Sequence, residues 1–366
     1  MKVNKETAMF RVLTGSRLYG TATDKSDFDY KVVCLPSLDD LLMNKKLTNR
    51  KEKPEGTKAG DKMLAGETET EYLPLQVFMD DFFNGQTYAL EMAFAVRQGQ
   101  FEVPASSYTM STWVSADVVE TNRLYEYARA RVKEAQTMMN ELIDQFLTRN
   151  VKKMVGYAVS QSKLYGLKTE RYTALKDALF MMNDYGNRFV HNNEERANTH
   201  LTDVPDLVEK LLKLPHVKTS QILNTAGGTE FALAIDICGK QHALTNKVAY
   251  VVNSVERTLL DYGERVKSFD GQGVDWKALS HAIRITEQVL ELSQRGTLVF
   301  PRPNADFLRA VKNGEKTLDE ATDYLNDAFA KVDDAVATSV LQEKTPELES
   351  EFQEWKLSVL RMMYDV

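Results

Sequence analysis

The sequence predicts an α+β protein, in which a small N-terminal core with a mixed sheet and helices precedes a larger, mainly helical region with a small β insertion. Three observations predict this class. Short apolar and β-branched runs bounded by glycine alternate with helical patterns in the first hundred residues. Apolar residues at helical spacing dominate from residue 116 onward. Two β-like runs around a Cys-Gly-Lys turn at residues 238–240 interrupt those helices.

The N-terminal elements follow from the period of the apolar residues. Runs rich in aromatic and β-branched residues predict strands, and the third run alternates glutamate with threonine before it becomes apolar. Asn84 and Gly85 separate two helical patterns. The predicted strands are residues 8–13, 28–35 and 67–73, and the predicted helices are residues 75–83 and 88–96.

A lysine-rich stretch, residues 44–62, separates the second and third predicted strands. It contains seven lysine and arginine residues, with Pro54, Gly56 and Gly60 between them. This composition predicts a basic loop rather than a packed element. Such a loop could clamp a nucleic acid, although a run of lysines is more often simply solvated.

The second part of the chain is predicted to be helical, apart from a β-like region at residues 231–252. The predicted helices are residues 118–147, 151–165, 173–185, 255–262, 276–293, 304–312, 318–338 and 346–363. We therefore expect a core of residues 1–110 and a helical domain of residues 111–366, with an insertion at about residues 167–270.

Composition and charge narrow the class of protein. The net charge of −7 argues against a surface that binds polyanions throughout, because phosphate contacts need clustered lysine and arginine. The two cysteines, Cys34 and Cys238, do not have the spacing of a zinc site. Neither a signal peptide nor an apolar run of roughly 20 residues is present, so the sequence predicts a cytoplasmic protein without a membrane partner. The oligomeric state stays open.

A glycine-serine turn followed by two spaced aspartates is the most informative pattern. Residues 15–21 read GSRLYGT and residues 26–29 read SDFD. Gly15 permits a tight turn after the first strand, and the N–H groups and the Ser16 hydroxyl can hold a phosphate at the start of a helix. On a strand, Asp27 and Asp29 would lie on the same face, where two carboxylates suit Mg²⁺.

The chemistry of such a site requires a third carboxylate from a neighbouring strand. Glu67, Glu69 and Glu71 alternate with threonines, so all three would face one side of the third strand. Glu69 is the first choice and Glu71 the second, either as a metal ligand or as the base that accepts the proton of an attacking hydroxyl. A solvated acidic edge strand is the structural alternative.

The GSRLYGT and SDFD motifs resemble the signature of nucleotidyltransferases of the DNA polymerase β superfamily. The resemblance implies a nucleotidyltransferase core in which Gly15 and Ser16 hold the triphosphate and Asp27 and Asp29 bind metal. The third acid departs from the superfamily pattern, because this chain has glutamate where aspartate is usual. Further motifs, GQTYALE at residues 85–91 and KALSHAIR at residues 277–284, resemble the RNA-repair branch found in phages and bacteria.

The helix predicted at residues 276–293 carries a polar stripe beside its apolar face. Lys277, His281 and Arg284 lie on this stripe, with Gln288 and Glu291 continuing it. The resemblance implies that the first three hold phosphates of the nucleotide or of an acceptor RNA, whereas the structural alternative is a solvated helix flank. Glu91, on the helix at residues 88–96, is either a buried acid that orients site residues or the polar edge of that helix.

The resulting functional hypothesis is transfer of a nucleoside monophosphate from an NTP to an acceptor hydroxyl, with release of pyrophosphate. The expected cofactor is Mg²⁺, with Mn²⁺ as the alternative, and the resemblance implies RNA, including tRNA, as the acceptor. A protein or small-molecule acceptor is one alternative. The other is a nucleotide-binding regulatory module without catalysis, although the intact acid pair argues against it.

Overall fold

A computed structural model of the protein describes residues 8–43, 45, 47–54, 65–106, 112–122, 125–162, 168–189, 198–223, 231–267 and 274–364. The chain divides into two compact units. Unit 1 comprises residues 1–58, 63–162 and 276–366, and unit 2 comprises residues 59–62 and 163–275. The predicted boundary at residue 110 lies within unit 1, and the predicted insertion at residues 167–270 lies within unit 2.

Strands of the described residues form two sheets. In chain order they are β1 (Ala8–Leu13), β2 (Phe28–Cys34), β3 (Arg50–Glu52), β4 (Thr68–Pro74), β5 (Glu102–Pro104), β6 (Trp113–Ser115), β7 (Val217–Leu223), β8 (Phe231–Ile237) and β9 (Lys240–Ala243). The sheet of unit 1 has the order β3-β4-β2-β1-β5-β6. It is mixed, because β2 and β4 are parallel whereas the other neighbouring strands are antiparallel.

Helices make up most of the remaining described chain. They are α1 (Gly15–Leu18), α2 (Leu38–Leu42), α3 (Leu75–Phe83), α4 (Thr87–Arg97), α5 (Ala116–Thr121), α6 (Glu126–Phe146), α7 (Lys152–Ser162), α8 (Lys168–Phe189), α9 (Pro205–Leu211), α10 (Val248–Lys267), α11 (Trp276–Arg295), α12 (Ala305–Lys312), α13 (Leu318–Phe329), α14 (Val332–Ala337) and α15 (Pro346–Tyr364). The predicted α+β class with a mixed sheet is confirmed.

The core of unit 1 combines early and late parts of the chain. Phe10 of β1 and Phe94 of α4 are completely buried in the same cluster as Ile285 and Val289 of α11. Phe352 of α15 is buried in this cluster as well, where its ring stacks on a neighbouring phenylalanine. The sheet and the C-terminal helices therefore share one apolar core, which fixes the late helices relative to the motif that follows β1.

Several strand predictions were wrong in detail. The lysine-rich stretch at residues 44–62 is not only a loop, because it contains β3, which pairs antiparallel with β4. Lys46, Lys58 and Lys62 of this stretch lie outside the described residues. The short strands β5 and β6 were not predicted, and β7 was also missed. The three-residue strands β5 and β6 leave too little alternation in the sequence to be recognised by period.

Unit 2 has its own core around a three-stranded antiparallel sheet of order β7-β8-β9. The predicted hairpin turn at residues 238–240 is confirmed, because β8 and β9 are paired on either side of it. Apolar residues of α8, α9 and α10 pack in this core, among them Leu175, Leu207 and Val251. Within the described part of the chain, the helices are all too short or too polar to cross a membrane.

Candidate active site

The turn after β1 and the acidic end of β2 lie in direct contact. Gly15 has a φ of +67°, and a Cβ atom added there would lie 2.7 Å from Asp29 Oδ2. The Asp29 carboxylate therefore occupies the space that any other residue at position 15 would fill. The predicted glycine turn and the second acid of the Asp-x-Asp pair are thus brought together in one place.

Hydrogen bonds fix this geometry on both sides of the turn. The backbone N–H and the hydroxyl of Thr14 both donate to the Asp29 carbonyl oxygen, at 2.7 and 2.9 Å. Arg17 on α1 donates from Nε to the Asp27 carbonyl oxygen, at 3.0 Å, while its guanidinium lies over the Phe28 ring. The short helix that carries Ser16 is therefore tied to the segment that carries both acids.

Glu69 of β4 lies next to Asp29 in the sheet. The parallel register pairs Asp29 with Glu69 and Lys31 with Glu71, so the side chains of each pair lie on the same face. Glu71 forms an ion pair with Lys31, whereas Glu67 precedes β4 and accepts the Phe28 N–H through its carbonyl oxygen, at 2.8 Å. Of the three glutamates considered as third acid, Glu69 is the one in register with Asp29.

Electrostatics reflect the crowding of these acids. Burial raises the pKa of Asp29, and the negative charges of Asp27 and Glu69 raise it further. The positive charge of Lys277 lowers the pKa of Asp29 but is outweighed. The structure thus places three carboxylates close enough to repel one another, which is the electrostatic condition that a bound cation relieves.

Two lysines form ion pairs with Glu69, the first choice for the third acid. Glu69 accepts a hydrogen bond from Lys51 Nζ at 3.0 Å and forms an ion pair with Lys53 Nζ at 3.5 Å. Burial alone would raise the pKa of Glu69, but the two lysines outweigh it and hold the pKa below its usual range. Among the described residues, no three His, Cys, Asp or Glu side chains are grouped as a ready metal site. The carboxylate donors nevertheless fit Mg²⁺ or Mn²⁺, both of which prefer oxygen ligands.

A cleft of about 230 Å³ opens beside these acids. Gly15, Asp29 and Glu69 line it at the sheet, and Lys51 lines it from the edge strand. Tyr19, Tyr30, Tyr88 and Glu91 complete most of the remaining wall. The cleft therefore joins the glycine turn and two of the predicted acids to aromatic side chains.

Glu91 of α4 is a buried acid with several hydrogen-bond partners. Of the two interpretations of the sequence, a buried acid and the polar edge of the helix, the structure therefore agrees with the first. It is 4% exposed, and its carboxylate accepts hydrogen bonds from Tyr19 Oη at 2.8 Å and from Gln288 Nε2 at 3.0 Å. Arg284 forms a buried ion pair with it. Arg284 also lies over the Tyr19 ring, with Cζ 3.7 Å from the ring centroid.

This network changes the interpretation of Arg284. The sequence placed its guanidinium on a polar stripe that could hold phosphates, but Arg284 is 5% exposed and paired inside the protein. The polar stripe of α11 turns inward at this position because Glu91 and Tyr19 provide partners there. Arg284 is therefore positioned to orient Glu91 and Tyr19 rather than to contact a phosphate.

Lys277 and His281 are placed differently from Arg284. Lys277 is exposed at the start of α11 and near enough to Asp29 to influence its pKa. His281 is half-buried on the same helix and does not line the cleft. The sequence did not single out Lys312, the last residue of α12, which is half-buried. Burial lowers the pKa of Lys312, and repulsion from Lys277 lowers it further, while Asp27 and Asp29 raise it.

Lys277 and Lys312 lie near each other because the first turns of α11 pack against α12. Gly314, with a φ of +71°, follows α12 and leaves room for the Trp276 indole, whose Nε1 would lie 3.1 Å from an added Cβ. Ser280 of α11 donates to the Leu308 carbonyl oxygen of α12 at 2.9 Å. Gly314, two residues after Lys312, is a sequence signal for the end of α12. Such a glycine does not indicate which residues lie next to the end of the helix.

Comparisons with known proteins identify one similar sequence and no assigned family. No protein-family model matches the chain, and no solved structure does. An uncharacterized 38.9 kDa protein from the nrdC-mobD intergenic region of Enterobacteria phage T4 is 26% identical over 323 residues. The similarity covers 88% of this chain and 87% of that protein, so it extends over both units and not only over the motif region.

Proposed function

We propose that the protein is a metal-dependent nucleotidyltransferase that moves a nucleoside monophosphate from an NTP to an acceptor hydroxyl and releases pyrophosphate. One observation carries the proposal: the Asp29 carboxylate lies against Gly15 while Glu69 lies beside Asp29 in register. A single nucleotide at the turn would therefore reach the acids without rearrangement of the sheet. The resemblance of the GSRLYGT and SDFD motifs to the polymerase β superfamily supports the same chemistry.

Each residue has a specific part in the proposed reaction. The backbone at Gly15 and the Ser16 hydroxyl bind the triphosphate, and Arg17 keeps that turn at a fixed distance from Asp27 and Asp29. Lys277, at the start of α11, and Lys312, at the end of α12, add positive charge near the acids. Positioning of the reactants and stabilisation of the developing charge account for most catalysis in phosphoryl transfer.

The proposed metal ligands are Asp27, Asp29 and Glu69, for Mg²⁺ or alternatively Mn²⁺. A bound divalent ion would neutralise the phosphates and help to activate the attacking hydroxyl. Glu69 is either the third ligand or the base that accepts the hydroxyl proton. Lys51 and Lys53 hold its pKa below the usual range, which keeps the carboxylate ionised but makes it a weaker base.

RNA, including tRNA, is the proposed acceptor, and this part of the proposal rests on the resemblance to the RNA-repair branch. The test is incubation of the purified protein with each α-labelled NTP, Mg²⁺ and total RNA. Label should appear in RNA with the native chain, and none should appear with Asp27→Asn or Asp29→Asn. Label in a protein or small molecule instead would identify a different acceptor, and nucleotide binding without pyrophosphate release would favour a regulatory module.

Asp24→Asn is the matched control for these variants. Asp24 lies in the same loop but is exposed and three residues before Asp27, so the substitution changes the same charge outside the acid cluster. We expect its transfer rate to equal that of the native chain. Equal transfer by the Asp29→Asn variant would show that the site has been assigned to the wrong residues.

A further inference from the structure

Both carboxylate oxygens of Glu69 are engaged by lysines from one edge segment of the sheet. Lys51 Nζ lies 3.0 Å from Glu69 Oε1, and Lys53 Nζ lies 3.5 Å from Glu69 Oε2. Lys51 is on β3, the edge strand next to β4, and Lys53 follows it. The oxygens that a metal ion would need are therefore held by two ammonium groups.

The charges explain why these lysines lie there. Asp29 stands beside Glu69, and Asp27 adds a third negative charge to the cluster. Without a counter-ion, three neighbouring carboxylates would repel one another strongly. Two ammonium groups supply the same total charge as one divalent cation, so the lysines and the metal are alternative ways of neutralising Glu69.

Of the two lysines, Lys51 has the greater freedom to change partners, because Lys53 is only 27% exposed. The Lys51 side chain is more than half exposed and lines the cleft beside Asp29. A lysine ammonium is a compact charge on a flexible chain, and exposed ion pairs of this kind are weak. The phosphate oxygens of a nucleotide in the cleft are negatively charged, like the Glu69 carboxylate. They would therefore be alternative partners for the ammonium groups.

We propose that Lys51 and Lys53 are exchangeable counter-ions, which neutralise Glu69 in the metal-free protein and move to nucleotide phosphates when a divalent cation binds Glu69. The nucleotide part of this inference rests on the proposed function, whereas the competition with metal does not. Lys51 and Lys53 would thus couple metal binding to nucleotide binding, because the lysines become available for phosphate only when the metal displaces them.

Mn²⁺ binding without nucleotide tests the competition directly. In the full chain, Lys51→Met with Lys53→Met should bind Mn²⁺ roughly tenfold more tightly in calorimetry, the order expected when two partly exposed ion pairs no longer have to be broken. Lys45→Met with Lys213→Met removes the same charge from exposed ion pairs elsewhere, with Asp40 and Glu209, and should leave the affinity unchanged. An unchanged or weaker affinity in the first variant would overturn the inference.

A second variant shows whether the effect acts through Glu69. In a Glu69→Gln background, the two lysine substitutions should no longer tighten Mn²⁺ binding, because the ion pairs that they remove are already absent. A tenfold gain that persists in that background would mean that general charge, and not release of Glu69, is responsible. Thermal unfolding of each variant would establish that the proteins compared are folded.

Nucleotide affinity in the presence of Mn²⁺ tests the second half of the exchange. The lysine double variant should bind a non-hydrolysable NTP roughly tenfold less tightly than the native chain, although it binds the metal better. Unchanged nucleotide affinity would overturn the transfer of the lysines to phosphate. The double variant could bind Mn²⁺ more tightly while the native chain transfers no nucleotide. That result would support the counter-ion role of the lysines and count against the proposed function alone, so failure of the proposed function can be told apart from failure of the counter-ion inference.

Discussion

At Gly15, the absence of one methyl group allows the turn and the acid to occupy adjacent space. A Cβ atom there would be 2.7 Å from Asp29 Oδ2, and the φ of +67° is unfavourable for any other residue. We expect Gly15→Ala to abolish NMP transfer, since Asp29 must move, and to destabilise unit 1 by about 1–2 kcal/mol or more. Chemical denaturation and the labelled-NTP assay measure the two effects.

Gly99→Ala separates backbone strain from the contact with Asp29. Gly99 has a φ of +75°, but an added Cβ would meet no atom within 4 Å. This control should therefore show the cost of the left-handed conformation, about 1 kcal/mol, with normal transfer activity. Equal loss of stability and activity in both variants would contradict a specific role for the space at Gly15.

Asp29 is predicted to destabilise the metal-free protein at neutral pH. Burial and the charges of Asp27 and Glu69 raise its pKa in the folded state, so its ionisation is less favourable there than in the unfolded chain. Asp29→Asn should therefore raise the Tm by about 1–2 °C, a small effect because the carboxylate is only half-buried.

The sign of this effect depends on pH. Below the ordinary pKa of 3.8 the carboxyl group of the native chain and the amide of the Asp29→Asn variant are both neutral, so their Tm values should coincide. The advantage of Asp29→Asn grows as the pH rises from 3.8 through the raised pKa of Asp29 and is constant above it. Scanning calorimetry from about pH 3 to about pH 8 would reveal the trend, and a native chain that is more stable than the variant near neutral pH would refute it.

Spacing in the sequence predicted the residues of the motif but not their counter-ions. Gly15, Asp27 and Asp29 follow one another within a short segment, so the turn and the strand period fix their relation. Glu69 was the first choice and Glu71 the second, but the register between β2 and β4, which pairs Glu69 with Asp29, cannot be derived from the sequence. Lys51 could be interpreted only as one of many lysines, because its contact with Glu69 depends on how β3 pairs with β4.

Among the elements, the edge strand β3 shows why the basic stretch was misread. Its three residues are all charged, which is typical of a solvated segment, yet they pair with β4. Charged residues on an edge strand discourage pairing with other chains and can still form ion pairs with the adjacent strand. The composition predicted a solvated segment, and the residues of β3 are indeed exposed or half-buried. It could not reveal the register that places Lys51 near Glu69.

Helices α4 and α11 are joined by a buried polar network instead of apolar contacts alone. Arg284→Met would leave Glu91 buried without its ion-pair partner, which typically costs about 3–5 kcal/mol. Tyr19, which follows α1 and donates to Glu91, should lose its fixed position as well. Urea denaturation measures the stability, and the KM for NTP would rise if the displaced tyrosine disturbs the turn at Gly15.

Arg309→Met is the matched control for this network. Arg309 lies on α12 and pairs with Asp306, whose side chain is almost fully exposed, so this substitution should change stability by less than about 1 kcal/mol. Combining Arg284→Met with Glu91→Leu should restore part of the stability lost, since the unpaired charge is removed. Equal effects of Arg284→Met and Arg309→Met would contradict the buried network.

At the scale of the whole molecule, the candidate site is built from segments far apart in sequence. Unit 1 brings residues 1–58 and 63–162 together with residues 276–366, and most of unit 2 is the chain between residues 163 and 275. Local period predicted most helices in both segments, but it carries no information about which late helix returns to the sheet. Lys312 is almost 300 residues after Asp27 and Asp29 in the sequence and comes near them only in the folded chain. It could therefore not be recognised as a site residue from the sequence.

Lys312 offers a test of this long-range assembly. It is half-buried at the end of α12, where Lys277 repels it and Asp27 and Asp29 attract it. A polyphosphate beside the acids would offset the repulsion between the two lysines, so we expect Lys312→Met to weaken binding of inorganic tripolyphosphate and to raise the KM for NTP by roughly tenfold. The kcat should change less, because the acids remain in place.

Lys316→Met controls for the loss of one positive charge near the same end of α12. Lys316 lies four residues further along the chain and pairs with Glu320. Its variant should bind tripolyphosphate as the native chain does. Lys312→Met could instead leave tripolyphosphate binding unchanged and reduce binding of a 5′-phosphorylated RNA. That result would mean that Lys312 binds the acceptor and not the nucleotide, because its ammonium group would then neutralise a phosphate of the RNA.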